Sequence, residues 1–540
     1  MNIKEIIKKS QSLKTNRTNW VTNWQHLAEI FDPNNATFKQ ERAKGDKKKV
    51  TDIYESQPML AANTLKSIVV SLFFNRNINP IQFTAIDKEV AKKDDVKKWI
   101  ESFTDVILSE MFKSKSNFEI SFSQAILDLI IYGTSGTFIQ EGKKTTLNYK
   151  TISVKNFLIS EDSEGFVDCV ILSYKMTKSQ LLDKWGEDKD AKLSDKIRNE
   201  KDDNKEFDIK LIIYPRERYD EEKLDQLNMP IAGKWYEVDK QSEIKEIGFS
   251  QFPFAVARSE KATQELYGTS RGLLALADSL QVQEVSKQHN NLVEKKASPP
   301  LVVNGEAFDD PINLRAAAVN YVKPNVGITR SPVEPMIVVG DIREDENLMN
   351  RKFNTIEKVF FLDKLKIFDD PRATATQVLE LRAESFRIMG EFAVGIMQFT
   401  EDLLNSTFDI IFKKVYDENG QLIIDNGLFN KELPKEIKGK ELKIIYNNPV
   451  TQSQKMNQAT IIEKFIGNIS NLAQVQPQVL DLIDFDKITK KYGDILDIDA
   501  HLYKDEYEIK EVRDERAKQQ KEALDLERGK IAGEINRTQQ

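Results

Sequence analysis

Two helical patterns of similar length, at 271–296 and 342–362, flank a proline-rich segment in the middle of the chain. In the first pattern, leucines recur at a spacing that places them on one side of a helix: Leu273, Leu276, Leu280 and Leu292. Pro299 and Pro300 end this pattern, because proline cannot continue a helix. The segment between the patterns, 297–341, holds short apolar runs separated by prolines, which indicates short strands. The order along the chain therefore predicts an antiparallel helix pair with a small β module at its tip.

The N-terminal half combines helical and strand patterns. Residues 1–140 are predicted to be mostly helical, with a clear pattern at 57–73. Within 135–260, short runs of β-branched and aromatic residues predict strands: Thr137–Ile139, Val167–Leu172, Ile209–Tyr214 and Lys234–Val238. A chain of 540 residues is long enough for several folding units. From the helical and strand patterns together, we expect a mainly helical α+β protein.

The longest helical pattern lies in the C-terminal half. Apolar residues recur every three or four positions from Thr374 to Tyr416, which predicts one long helix. Gly390 and Gly395 are the expected sites of bending.

Beyond this pattern, we expect a β-hairpin followed by helices. The hairpin is predicted to pair 421–425 with 442–446. A helical bundle is predicted over 450–500, and a charge-rich helix over 505–531.

Composition limits how the chain can handle nucleic acid. Its formal net charge is −7, whereas proteins that bind DNA tightly by neutralising phosphates are usually basic. Any contact with DNA is therefore expected to be local or weak. The single cysteine, Cys169, lies in an apolar run and is expected to be a buried hydrophobe, so no internal disulfide can form. No secretory signal and no run near the ~20 apolar residues of a membrane span are found, so we expect no membrane partner.

No segment of the sequence has a convincing catalytic pattern. Gly136–Lys143 superficially resembles a phosphate-binding loop, but one residue too many separates its glycines, and Lys144 stands where Ser or Thr is needed. The three histidines are isolated, without the spacing of metal ligands. Asp481, Asp484 and Asp486 form the densest acidic set, which helix capping and a solvated face explain better than a nuclease site. We expect no catalytic residue, no cofactor and no metal.

Several short segments, in order over residues 15–516, point to one family. Near the start they are Arg17, Trp20, Trp24 and Pro33, followed by Tyr132-Gly133-Thr134. The most specific block runs from Pro253-Phe254 and Arg258 through Tyr267-Gly268 to Pro299-Pro300-Leu301, and a later segment contains Thr374 and Thr376. Together these segments resemble the portal, or head-to-tail connector, proteins of short-tailed bacteriophages. Ser259 departs from the tryptophan usual in that family.

The resemblance implies a portal fold with wing, stem, clip and crown parts, assembled as a ring that usually has twelve subunits. The implied parts are an N-terminal wing at 1–270, a stem helix at 271–296, the clip at 297–341, a second stem helix at 342–362, the tunnel loop at 363–372, a wing segment with a long helix at 373–446, the crown at 447–504 and a barrel-like helix or disordered tail at 505–540.

The same resemblance implies the partners and the location. A portal ring replaces a pentamer at one capsid vertex of the virion and is made in the cytoplasm of the bacterial host. It docks the large subunit of the terminase motor, then a tail adaptor protein, and it contacts the major capsid and scaffolding proteins. Double-stranded DNA passes through it without being read. The alternatives are another ejection or adaptor structural protein of a phage and, less favoured, a DNA-packaging enzyme.

Three basic residues beside the implied tunnel loop are candidates for transient phosphate contact: Lys364, Lys366 and Arg372. Repeated around a ring, they would form a positive girdle at a narrow point of the channel. The alternative is that they cap helices or pair with neighbouring carboxylates. Tyr267, Gly268, Pro299, Pro300, Thr374 and Thr376 are expected to have structural roles.

Overall fold

A computed structural model of the chain describes residues 2–39, 53–74, 81–91, 93–142, 145–219, 227–304, 307–308, 311–313, 321, 323, 333–335, 342–365, 377, 384, 387–417, 421–423, 428–438, 442–446, 449–496, 498, 502 and 508–521. The chain divides into two compact units. Unit 1 comprises Met1–Asn75 and Glu110–Phe412, and unit 2 comprises Arg76–Ser109 and Lys413–Gln540.

The helices, in chain order, are α1 (Ile3–Asn16), α2 (Thr18–Phe31), α3 (Gln57–Phe73), α4 (Lys88–Ala91), α5 (Asp94–Met111), α6 (Phe118–Tyr132), α7 (Lys178–Trp185), α8 (Asp195–Arg198), α9 (Arg271–Ala297), α10 (Ile342–Val359), α11 (Leu362–Leu365), α12 (Glu391–Val415), α13 (Pro449–Val475) and α14 (Phe485–Ile495). Residues 508–521 are also helical.

The strands are β1 (Ile81–Ala85), β2 (Thr134–Glu141), β3 (Leu147–Ile152), β4 (Phe157–Glu161), β5 (Val167–Thr177), β6 (Glu206–Pro215), β7 (Ile231–Glu237), β8 (Ser242–Phe249), β9 (Phe254–Arg258), β10 (Leu301–Val303), β11 (Val333–Pro335) and β12 (Leu442–Tyr446).

Unit 1 contains two antiparallel sheets of three or more strands. One has five strands in the order β4-β5-β6-β7-β8, and the other has three in the order β3-β2-β9. α1 lies against the larger sheet, where its Ile6 joins a buried cluster that includes Cys169 and Ile212. α6 packs on the smaller sheet, and its Ser121 hydroxyl donates a hydrogen bond to the Tyr149 carbonyl oxygen of β3 (2.8 Å). The expected mixture of helices and sheets is confirmed.

α9 and α10 form the predicted antiparallel pair. Lys352 contacts Asp278 (2.8 Å) near the start of α9. Further along α9, the Ser286 hydroxyl lies 3.3 Å from the sulfur of Met349. Later residues of α9 thus contact earlier residues of α10, as an antiparallel arrangement requires.

The strands at the tip continue this antiparallel pairing. β10 pairs with β11, with Leu301 opposite Pro335 and Val303 opposite Val333. The predicted helix–β–helix hairpin is therefore present. Most of the segment between the two strands lies outside the described residues.

The predicted long helix from Thr374 to Tyr416 is wrong in one respect. Gly390 adopts a left-handed conformation (φ +48°), and α12 begins at the next residue. A left-handed residue breaks the helical hydrogen-bond ladder, so the pattern is interrupted rather than bent there. Gly395 instead lies inside α12, where a Cβ would approach the Arg258 carbonyl oxygen to 2.7 Å. Its role is close packing.

The predicted hairpin between 421–425 and 442–446 is also wrong. β12 pairs antiparallel with β1, with Ile81 opposite Tyr446 and Ala85 opposite Leu442. Leu422 forms only an isolated bridge with Tyr416 among the residues described in that segment.

Aromatic side chains form part of the unit 2 core. Trp99 stacks on Phe103 with 4.9 Å between ring centroids, and its indole N–H donates to the Tyr416 hydroxyl (2.9 Å).

In the described parts of the chain, no helix combines the length and apolar character that a membrane crossing requires.

Candidate functional site

Two Tyr-Gly segments that are far apart in sequence meet where α9 begins. Gly133 ends α6 in a left-handed conformation (φ +76°), and Gly268 lies directly against it. A Cβ on Gly268 would lie 2.7 Å from the Ser259 nitrogen, and it would overlap the carbonyl oxygens of both Ser259 and Gly133. Only glycine fits at this backbone contact, which we call the glycine clasp.

Hydrogen bonds hold the two segments of the glycine clasp together. The Gly268 N–H donates to the Thr134 hydroxyl oxygen (2.9 Å), and the Ser259 N–H donates to the Gly133 carbonyl oxygen (2.9 Å). Both hydrogen bonds are buried, because neither Thr134 nor Ser259 has exposed surface. The clasp thus joins the end of α6 to the segment that precedes α9.

Aromatic side chains pack beside the glycine clasp. The buried ring of Tyr267 meets Trp24 edge-on, with 5.1 Å between centroids and an interplanar angle of 86°, and Trp20 lies 6.0 Å from it. The Trp24 indole N–H donates to the Tyr132 carbonyl oxygen (3.0 Å). Burial raises the pKa of the Tyr267 hydroxyl, so this group stays neutral. The tyrosine, glycine and tryptophan signature residues therefore occupy one buried cluster.

Arg17 links this cluster to the sheets. Its guanidinium donates to the carbonyl oxygens of Val154 (2.8 Å), Phe157 (2.6 Å) and Lys155 (3.2 Å). Hydrogen bonds from a charged donor are stronger than those between neutral groups, and here they fix the turn that leads into β4. The fork of donors explains why arginine, with its planar guanidinium, suits this position.

α9 starts directly from the glycine clasp. The Ser270 hydroxyl caps the helix by accepting a hydrogen bond from the Leu273 N–H (2.8 Å). Within the first turn, Gly272 lies so close to α6 that a Cβ would be 2.8 Å from the Ile131 carbonyl oxygen. The start of α9 is therefore seated on α6.

Arg271 connects the two ends of the hairpin. Its guanidinium lies 4.3 Å from the ring centroid of Phe361, just after α10, and it forms an ion pair with Glu260. Phe361 has a left-handed backbone (φ +59°), while its neighbour Phe360 is fully buried against Phe31. Both helices of the hairpin are thus anchored at their base.

The other predicted site residues lie elsewhere. Pro299 and Pro300 precede β10 at the tip of the hairpin, where Pro300 is exposed. Lys364 is exposed in the short helix α11. Four of the predicted residues lie outside the described part of the chain: Lys366, Arg372, Thr374 and Thr376.

The acidic residues near α14 have ordinary structural roles rather than those of a nuclease site. The Asp484 carboxylate caps α14 by accepting a hydrogen bond from the Lys487 N–H (3.1 Å). Asp486 binds the Arg513 guanidinium through both oxygens (2.6 and 2.8 Å). Across the described ranges, no group of three or more His, Cys, Asp or Glu side chains could hold a metal ion.

The other two candidates for chemistry are also structural. Cys169 is buried, and burial raises the pKa of its thiol to about 11, so it is not an activated nucleophile. Gly136 lies inside β2, against the ring of Phe254, rather than in a phosphate-binding loop. With these candidates set aside, the candidate functional site is the anchored hairpin, which positions a helix pair and its β tip.

A repeated triplet in the sequence marks the two halves of the glycine clasp. Tyr-Gly-Thr occurs at 132–134 and again at 267–269, and nothing in the sequence alone shows that the two copies touch. Their mutual contact, the cap from Ser270 and the stacking of Arg271 on Phe361 emerge only in three dimensions.

Comparison with known proteins identifies the family. A model of the bacteriophage head to tail connecting proteins matches residues 3–503. The chain belongs to this family. It has the family's structural role, that of a portal protein at the head-to-tail connection of a bacteriophage, and the resemblance found in the sequence is confirmed.

Two curated relatives match almost the whole chain. One is the probable portal protein of Bordetella phage BPP-1, 22% identical over 529 residues, which cover 96% of this chain and 92% of the relative. The other is the portal protein of Salmonella phage epsilon15, 22% identical over 548 residues, which cover 99% and 94%. A solved chain from the virion of a native gene transfer agent particle has 9% identity and a TM-score of 0.36, covering 79% of this chain and 91% of its own. That likeness is too low to support an inference.

Proposed function

We propose that copies of this chain form a closed ring, usually of twelve subunits, through which double-stranded DNA enters and leaves the capsid. The α9–α10 hairpin is the stem that surrounds the channel, and its β tip is the clip. The observation that carries this proposal is the distribution of leucines around α9. Its inner face is a stripe of small and apolar residues that includes Ala275, Ser279 and Val282, all buried. Further along the same stripe, Ser286 contacts Met349 of α10.

Exposed leucines lie on both sides of that inner face. Leu274 is 50% exposed and Leu280 is 47% exposed. At about 100° per residue, the two lie about 120° apart, one on each flank of the buried stripe. A subunit in a ring has an identical neighbour on each side, so apolar groups on both flanks of the stem helix suit ring assembly.

The remaining parts follow the assignment made from the sequence. The segment 363–372 is the tunnel loop, 1–270 and 373–446 form the wing, 447–504 forms the crown, and 505–540 continues as a barrel-like helix or a tail. In this account the clip docks the terminase large subunit during packaging and the tail adaptor protein afterwards. The wing contacts the major capsid and scaffolding proteins. The protein is made in the host cytoplasm and ends at one vertex of the virion.

We further propose that Lys364, Lys366 and Arg372 contact DNA phosphates transiently as the duplex slides. The net charge of −7 fits a wall that does not retain DNA, since a uniformly basic channel would hold it. Lys364 is exposed at the start of the proposed loop, where a ring would repeat it around the channel. The double substitution Lys364→Ala with Lys366→Ala should reduce the DNA packaged or retained per particle. Wild-type packaging and retention would refute this role.

Ring assembly is tested by placing charge on the flanks of α9. Leu274→Glu with Leu280→Glu should abolish or weaken assembly, because two carboxylates would be desolvated between subunits. Ala277→Glu with Asn291→Glu adds the same two charges on the exposed face opposite α10 and serves as the matched control. Sedimentation velocity measures the outcome. Equal assembly of the double variant and the control would contradict the proposal.

As a check on the enzyme alternative, incubation of duplex DNA with the protein and a divalent metal should leave the DNA intact.

A further inference from the structure

α13 carries two apolar stripes on adjacent faces. The residues of the inner stripe recur every three or four positions: Ala459, Ile462, Ile466 and Ile469. The first and the last of them are buried. The inner stripe faces other elements of its own chain. Among them is α14, whose Tyr492 hydroxyl contacts the Glu463 carboxylate of α13. A second stripe has the same spacing, displaced by one residue and hence by about 100° around the helix.

The second stripe, which we call the outer stripe, is exposed. Ile461 is 65% exposed, Phe465 is 49% exposed and Leu472 is 57% exposed. Single exposed apolar residues are common on protein surfaces, but here three lie on one face of one helix. Among the described residues, this apolar face therefore stays exposed after the helix has packed against its own chain.

The composition of α13 indicates that this face contacts protein rather than water. Among its 27 residues, the charged ones are Lys455, Glu463 and Lys464. The chain as a whole has 31% charged residues, so a largely exposed helix with so few is unusual for this protein. Depletion of charge together with apolar and aromatic side chains is the composition of the core of a protein interface.

We infer that the outer stripe packs against the next copy of this chain in the ring. This inference rests on the proposed function, since it assigns a second contact to the same assembly. If α13 packed on α13 of another copy, the contact would be two-fold and would close at a dimer. In a ring, the outer stripe must instead meet a different surface of its neighbour.

The complementary surface is the apolar turn that leads into α14, together with the first residue of that helix. Leu482 is 84% exposed, Phe485 is 42% exposed and Leu480 is 39% exposed, all in unit 2 like the outer stripe. One copy then contributes the outer stripe, and the next contributes this turn. Because every copy has both surfaces, each outer stripe in a closed ring meets the apolar turn of one neighbour.

A charge in the outer stripe tests the contact. In the full-length chain, Phe465→Glu should raise the concentration needed for half-assembly at least tenfold. Ser470→Glu is the matched control, because it places the same charge on an exposed position on the opposite side of α13. Circular dichroism should show equal helix content for both variants. Wild-type assembly of Phe465→Glu would overturn the inference.

Cross-linking tests the pairing of the two surfaces. The double variant Phe465→Cys with Leu482→Cys, treated with a short bis-maleimide linker, should give a ladder of covalent multimers. Each single variant should stay monomeric on a denaturing gel, and the native Cys169 does not interfere because it is buried. Covalent dimers from Phe465→Cys alone would show α13 packed on α13 and would overturn the inference.

The two proposals fail in different ways. Closed rings without a ladder from the double variant would overturn the contact through α13 while leaving the ring intact. Absence of rings from the wild-type chain would overturn the proposed function itself, and the inference with it.

Discussion

The substitution Gly268→Ala tests the glycine clasp directly. Gly268 does not have a left-handed backbone, so alanine is compatible with its dihedral angles, and any effect comes from the close packing. The new methyl group would overlap the carbonyl oxygens of Ser259 and Gly133, which belong to backbone rather than to flexible side chains. The two segments must therefore move apart.

The cost can be worked out from the contacts that this movement breaks. Overpacking of a close-packed site costs about 1–3 kcal/mol. Separation also weakens the hydrogen bonds from Gly268 to Thr134 and from Ser259 to Gly133, and buried groups that lose partners cost about 1–3 kcal/mol each. With partial relaxation we expect a loss of about 3 kcal/mol in local stability, or roughly a hundredfold in the opening equilibrium.

Hydrogen exchange measured by mass spectrometry resolves this effect locally. Amides at 268–273 and at 133–136 should lose about a hundredfold of their protection in Gly268→Ala. Amides of α13, in the other unit, should keep theirs. Wild-type protection around α9 in this variant would refute the claim that the clasp anchors the hairpin.

Two further predictions concern single residues. Gly467 is a helical glycine in α13, and a methyl group added at its Cα would meet no atom of the described residues within 4 Å. Gly467→Ala should therefore raise the stability of that helix by about 1 kcal/mol, measured by urea unfolding. A destabilised variant would contradict the open surroundings. Cys169 should resist maleimide in the folded protein at pH 8 and react in urea. Because burial raises its pKa from 9.0 to about 11, its contribution to stability is complete below about pH 9 and is lost as the pH rises through 11. Fast labelling of folded protein would contradict its burial.

Local patterns predicted the elements that depend on local chemistry. The periodicity at 57–73 predicted α3, which spans Gln57–Phe73. The prolines after α9 predicted its end, which falls at Ala297. These boundaries follow from residues within one turn of the helix end, and so they can be read from the sequence.

Long-range contacts could not be predicted in this way. β12 was identified as a strand, but its partner β1 lies more than three hundred residues earlier, and no turn connects them. β1, β3, β4, β8 and β9 are not predicted from the sequence, because each depends on neighbouring strands or helices for its burial. The interruption at Gly390 could not be told from a bend, since the apolar spacing continues on both sides of it.

The site shows the same division. The family segments containing Tyr267 and Gly268 were recognised as significant from the sequence. Their physical role was not, because a steric requirement for glycine arises from the backbone of another segment, Gly133. The fork of hydrogen bonds from Arg17 likewise depends on carbonyl oxygens more than a hundred residues away.

Electron microscopy of the purified full-length chain tests the central claim most directly. We expect class averages of closed rings with a central channel, and a mass by native mass spectrometry close to that of twelve chains. Class averages that contain only monomers or dimers, at concentrations where the protein is folded, would contradict it.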